Sequence, residues 1–124
     1  MDILGIDHVQ LPIPPGGEDE ARRFYGDVLG LREVPKPEDM RARGGLWFQA
    51  GPVQLHLGVE PGMRASAKAH PALIVRELAP WVRALQAAGC EWTAAQDMPG
   101  VARGHTRDPF GNRIELMQAP GEPG

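Results

Sequence analysis

The chain has 124 residues, a formal charge of −3 with a pI near 5.8, and 42% hydrophobic against 23% charged residues. Those totals fit one soluble globular domain and exclude a nucleic-acid binder, because no lysine or arginine cluster offsets the acidity. No apolar run reaches the roughly 18 residues of a membrane span. The opening "MDILGIDHVQ" lacks the basic-then-apolar order of a signal peptide. A lone cysteine, Cys90, leaves no intrachain disulfide and suits the reducing cytoplasm.

In chain order, "GIDHVQLPI" (5–13) alternates as a strand, with Ile6, His8 and Gln10 on one face and Asp7, Val9 and Leu11 on the other. "EDEARRFYGDVLGL" then places Ala21, Phe24, Tyr25, Val28 and Leu29 at amphipathic-helix spacing, with Gly30 as a left-handed C-cap. Short strands are expected around 31–35, over 45–51 and over 52–60. In the last of these Val53, Leu55 and Leu57 oppose Gln54 and His56. A polar connection, 61–69, leads to "HPALIV" (70–75), a strand opening on His70. The helix "ELAPWVRALQAAG" follows, tolerating Pro80 in its first turn. Three strands close the chain: 90–95, 101–106 and 112–118, the last introduced by the turn "DPFGN". "APGEPG" (119–124) reads as a frayed tail.

The order is β-α-β-β-β twice, with modules of about 3–60 and 70–118 in a single domain spanning 1–124. The expected class is α+β, two tandem βαβββ modules forming a curved mixed sheet around a cleft. His8 and His70 lie 62 residues apart, and Glu115 falls near the counterpart of Gln54 and His56 within a small indel. His8, Gln10, Gln54, His56, His70 and Glu115 all sit on polar strand faces, so Glu115 is expected to point at histidines. Two imidazoles and a carboxylate suit a divalent metal with open positions for substrate.

"IDHVQL", "FYGDVLGL", "HPALIV" and "DPFGNRIEL", together with the duplication, resemble the vicinal oxygen chelate superfamily. That group includes glyoxalase I, extradiol dioxygenases, epimerases and the fosfomycin- and bleomycin-resistance proteins. The resemblance covers roughly residues 3 to 118. It implies metal ligands at His8, His70 and Glu115, the set of the dioxygenase and fosfomycin-resistance branches. Bacterial glyoxalase I has a glutamate on its fourth strand; this chain has Gln54 there or, two residues on, His56. His56 is a fourth ligand or a pocket group that hydrogen-bonds substrate. Glu115 and His56 are the candidate catalytic residues.

Gln10, Trp47, Gln54, His105 and Arg103 are candidate pocket residues. Trp47 and Phe48 alternate, so one is expected in the cleft and the other under a helix. Arg103 and Arg113 are candidates to meet an anionic substrate. The ion is Zn, Ni, Mn or Fe, since histidine and glutamate accommodate each. Two functional readings follow: a metalloenzyme of isomerase, lyase or transferase type acting on a small bidentate oxygen substrate, or a metal-free binding protein of the bleomycin-resistance type. A homodimer in the cytoplasm is expected in either case.

Overall fold

The computed structural model describes residues Met1–Gly121; residues 122–124 of the expected tail lie outside them. The chain divides into two compact units, Met1–Arg64 and a second beginning at Ala65. The elements run β1 (His8–Ile13), α1 (Glu18–Ala21) continuing as a π-helix over Arg22–Val28, and β2 (Arg32–Val34). A 3₁₀ helix (Glu38–Arg43), β3 (Leu46–Ala50) and β4 (Val53–Val59) complete the first unit. The second holds β5 (Ala72–Val75), α2 (Leu78–Ala87), β6 (Thr93–Ala95), β7 (Arg103–Arg107) and β8 (Arg113–Gln118).

The α+β class and the repeated βαβββ order are as expected, but there are two sheets rather than one. Each is four-stranded and mixed, ordered β1-β4-β3-β2 and β5-β8-β7-β6. In each, the first strand runs parallel to the fourth and the other pairings are antiparallel. Pro12 lies in β1, an edge strand, where a residue without an N–H is tolerated.

Alternation builds both cores. In the first unit Leu55, Leu57, Leu46 and Phe48 are buried with Phe24, Tyr25 and Leu29 of the helical segment. The Tyr25 ring stands 5.9 Å from that of Phe48, so Phe48 is the residue under the helix. In the second unit Ile114 and Leu116 are buried, as are Leu78 and Leu85 of α2. Gly104 is required by close approach, because a Cβ there would lie 2.4 Å from the Trp92 ring and 2.7 Å from the Thr93 carbonyl oxygen.

Three expectations need correction. The first helix is α-helical for only one turn. Leu29 N–H then bonds the Phe24 carbonyl five residues back, and Leu31 N–H reaches Tyr25. A stripe of apolar residues specifies a helix face but not whether a turn holds 3.6 residues or more. The expected cap, Gly30, does end it at φ +69°. Second, His70 precedes β5 instead of opening it: Pro71, next to it, has no N–H to donate, although its carbonyl still accepts from Glu115 N–H at 3.0 Å. Third, the 3₁₀ helix at Glu38–Arg43 was not anticipated, since its polar residues carry no apolar period.

The loop between β7 and β8 is organised by one buried side chain. Asp108 Oδ1 accepts from Phe110 N–H (2.9 Å) and Asn112 N–H (2.8 Å), and Oδ2 accepts from Asn112 Nδ2 (2.8 Å). Asp108→Ala strands these donors and is expected to cost at least about 2 kcal/mol. Urea unfolding of the variant beside the parent protein measures it.

Candidate functional site

Glu115 is 5% exposed on β8, between the buried Ile114 and Leu116. Its strand neighbours are His105 on β7 and Ala72 on β5, and His70 lies two residues before Ala72. Three nitrogens converge on one oxygen, Glu115 Oε1: His70 Nε2 at 2.9 Å, Arg103 Nη1 at 3.2 Å and His105 Nε2 at 3.3 Å. Arg103 also pairs with Asp97, and its buried Nε has no hydrogen-bond partner among the described residues. Donor atoms of His70, His105 and Glu115 all lie within 4.8 Å of one another.

The electrostatics suit a cation. Burial alone would raise the Glu115 carboxyl, but hydrogen bonds from His70 and Arg103 outweigh it and hold the group below the usual carboxylate range. His105 is held below the ordinary imidazole value by burial first and then by the Arg113 guanidinium, so its ring stays neutral. Arg113 Nη2 faces both ring nitrogens of His105 at 3.0 and 3.3 Å, a contact that needs a nitrogen lone pair.

His70 supplies a direct test of fit. Its Nδ1 meets the Lys68 carbonyl oxygen at 2.5 Å and its Nε2 meets Glu115 Oε1 at 2.9 Å. Both partners are acceptors, and a neutral ring has one N–H. The Nε2 contact is satisfied only by a second proton or by a cation shared with the carboxylate. Atoms bound to one tetrahedral ion at about 2.0–2.2 Å lie roughly 3.3–3.6 Å apart. Here His105 Nε2 is 3.3 Å and His70 Nε2 2.9 Å from Oε1, with the whole set inside 4.8 Å, so the rings need only small movements to close on an ion. The donor set fits a divalent metal, with the Lys68 carbonyl fixing the His70 ring from behind.

In the first unit His8 Nδ1 donates to Asp7 Oδ2 at 2.9 Å, and its Nε2 has no partner among the described residues. The His8 ring stacks on His56 at 4.2 Å, and His56 stacks on Trp47 at 4.0 Å with the planes 2° apart. His56 Nε2 contacts Gln54 Oε1 at 2.9 Å, and burial lowers its pKa, with a further push from His8. Trp47 is thus on the polar face, as one of the two aromatics was expected to be. Gln10 lies against Gly58 on that same face.

Strand register decides which first-unit residue corresponds to Glu115. β1 pairs with β4 at a separation of 46 (His8 with Gln54), and β5 pairs with β8 at 43 (Ala72 with Glu115). Carried back to His70, the second ladder reaches Arg113, and Glu115 stands two residues beyond. Two beyond Gln54 is His56. Side-chain contacts agree: His70 touches Glu115 as His8 touches His56.

The structure brings His70 and Glu115 together, with Arg103 and His105 beside them, and groups His8, Gln54, His56 and Trp47 in the other unit. Sequence reasoning counted His105 as a pocket residue and missed it as a potential ligand. The signal was available, since a hairpin centred on Phe110 sets 105 opposite 115. Arg113, a candidate for meeting an anionic substrate, lines the same pocket, as do Lys68 and Asp97, which gave no pattern of their own.

Two βαβββ sheets, one pairing His8 with His56 and the other His70 with Glu115 on the polar face, define a class, and the comparisons name it. The chain belongs to the Glyoxalase/Bleomycin resistance protein/Dioxygenase superfamily, whose model matches residues 5–116. It is similar to a glyoxalase family protein from Bacillus anthracis, with 44% identity over 95% of this chain and 97% of that one and a TM-score of 0.92. A lactoylglutathione lyase from Agrobacterium tumefaciens shares the fold at 23% identity, 97% of both chains and a TM-score of 0.74. So does a genomically encoded fosfomycin resistance protein from Listeria monocytogenes, at 13% identity, 95% of both chains and a TM-score of 0.77. A mutant of that protein was crystallised with Mn(II) and a dihydroxypropylphosphonic acid. No match was found among curated proteins. Among the described residues no helix is long and apolar enough to cross a membrane.

The Glu115 carboxyl, depressed in the fold, stabilises the protein above its ordinary value of 4.5 and loses that contribution as pH falls through the folded value. Thermal melts from pH 7 downward should show Glu115→Gln with a shallower acid decline than the parent protein. Parallel curves would contradict the assignment.

Proposed function

We propose that the chain is a divalent-metal-dependent enzyme of the superfamily, acting on a small substrate that presents two neighbouring oxygens. One observation carries the reading: two imidazole nitrogens approach one oxygen of a buried carboxylate, and His70 faces acceptors on both ring nitrogens. The second unit supplies His70, Glu115 and His105 as ligands. Within the first unit, Asp7 and the His56 face orient the His8 ring.

A bound divalent ion supplies Lewis acidity, stabilising negative charge that develops on a substrate oxygen. The chain's own residues do the rest. The Lys68 carbonyl and Asp7 fix ring orientation. His56, neutral and packed between Trp47 and His8, keeps the His8 ring from turning. Arg103 restrains Glu115 through Oε1. An isomerisation, an elimination or the addition of a thiol would each use this arrangement. Zinc, nickel, manganese and iron all accept a histidine and carboxylate set.

Calorimetric titration of metal-free protein with Mn²⁺ and with Zn²⁺ tests the reading. The parent protein is expected to bind one equivalent, and Glu115→Gln and His105→Ala each to bind at least about tenfold more weakly. Absence of binding in the parent favours instead a metal-free small-molecule binder. Because ligand nitrogens and oxygens must be deprotonated, affinity should fall as pH drops. A flat profile from pH 7.5 to 5 would remove His105 from the ligand set.

A further inference from the structure

The second sheet carries a pocket of about 490 Å³ whose wall includes Lys68, Arg103 and Arg113 beside Asp97 and Glu115. These charges do not cancel in place. Arg103 is occupied by Asp97 and Glu115. Arg113 contacts only the Ala67 carbonyl (3.3 Å) and the His105 ring, and neither it nor Lys68 has an ion pair among the described residues. A divalent ion on Glu115 would add positive charge to a wall that already holds two uncompensated cations.

We propose that the substrate is an oxyacid anion, a carboxylate or phosphonate with a second oxygen on the adjacent carbon, whose acid group is gripped by Arg113 and Lys68. This rests on the metal reading above and deepens it. A neutral oxygen pair would leave Lys68, Arg113 and the ion as like charges along one wall of the pocket, with nothing of opposite sign to meet the two cations. An acid group removes that repulsion and supplies acceptors of the right shape. The guanidinium fork matches the paired oxygens of carboxylate and phosphonate alike, and Lys68 adds a point charge. His105 is held between Glu115 and Arg113, so the same element that presents a ligand also presents the acid-binding cation.

The test uses the full-length protein loaded with Mn²⁺ and titrated calorimetrically with oxalate, hydroxymethylphosphonate and hydroxyacetone. Hydroxyacetone offers adjacent oxygens without a formal charge. The acids are expected to bind about a hundredfold more tightly than hydroxyacetone. Lys68→Met and Arg113→Met should each weaken oxalate about tenfold, the scale of one charge-assisted hydrogen bond, with partial recovery in Arg113→Lys. Preference for one acid over the other identifies the substrate as carboxylate or phosphonate. Equal binding of hydroxyacetone and the acids, or unchanged oxalate affinity in both methionine variants, overturns the proposal. Mn²⁺ affinity is recorded separately for each variant, so that a change in metal uptake is not read as a change in acid binding. If the parent protein takes up no Mn²⁺, the metal reading fails, and oxalate is titrated into metal-free protein. Binding that is lost in the methionine variants then upholds the anion site, and no binding overturns it.

Discussion

A carboxylate set into an apolar strand is the constraint on which the second unit turns. Glu115 has Ile114 and Leu116 as sequence neighbours, both buried against the core, so the strand cannot shift to release the acid into water. Burying an ionised carboxylate is costly unless charged or hydrogen-bonding partners surround it. His70, His105 and Arg103 meet that demand at a single oxygen. Charge compensation and a cation-ready donor set are consequently one feature.

The two units show how one backbone plan carries different chemistry. Register sets Trp47 beside His56 in the first sheet and His105 beside Glu115 in the second. In the first the pair is a ring stack, continued by His8, which holds aromatic planes at 4.0 and 4.2 Å. In the second the pair holds an ionised carboxylate beside a neutral imidazole and draws in two arginines. Stacking makes a rigid, neutral support; the ionic cluster makes an attractive field. Fold membership alone does not distinguish these uses, and the neighbours that share the fold differ in what they do.

Much of the architecture was readable along the chain. All eight strands were expected to within a few residues, those at 5–13 and 52–60 from period-two alternation, and the helix stripes marked two helical segments. Gly30 stops the first of these as its position suggested. The widened π turn was not readable, because burial of Phe24 and Tyr25 is compatible with either helical pitch. Strand ends were overrun in places, as at 90–92, which precede β6. The candidate site was half legible: polar residues on strand faces marked His8, His56, His70 and Glu115, whereas Lys68 and Asp97 lie in irregular segments with no periodicity to mark them.

By itself the sequence determined the duplicated modules, the buried acid on the last strand and the supply of histidines, because side-chain alternation and apolar spacing are local properties. The tertiary structure decided what those groups touch. Hydrogen-bonded register, set by a three-residue difference between the two parallel ladders, makes His56 the counterpart of Glu115. Hairpin pairing brings His105 across from that acid. Long side chains such as Arg103 and Arg113 reach partners chosen by distance in space, which no spacing along the chain encodes.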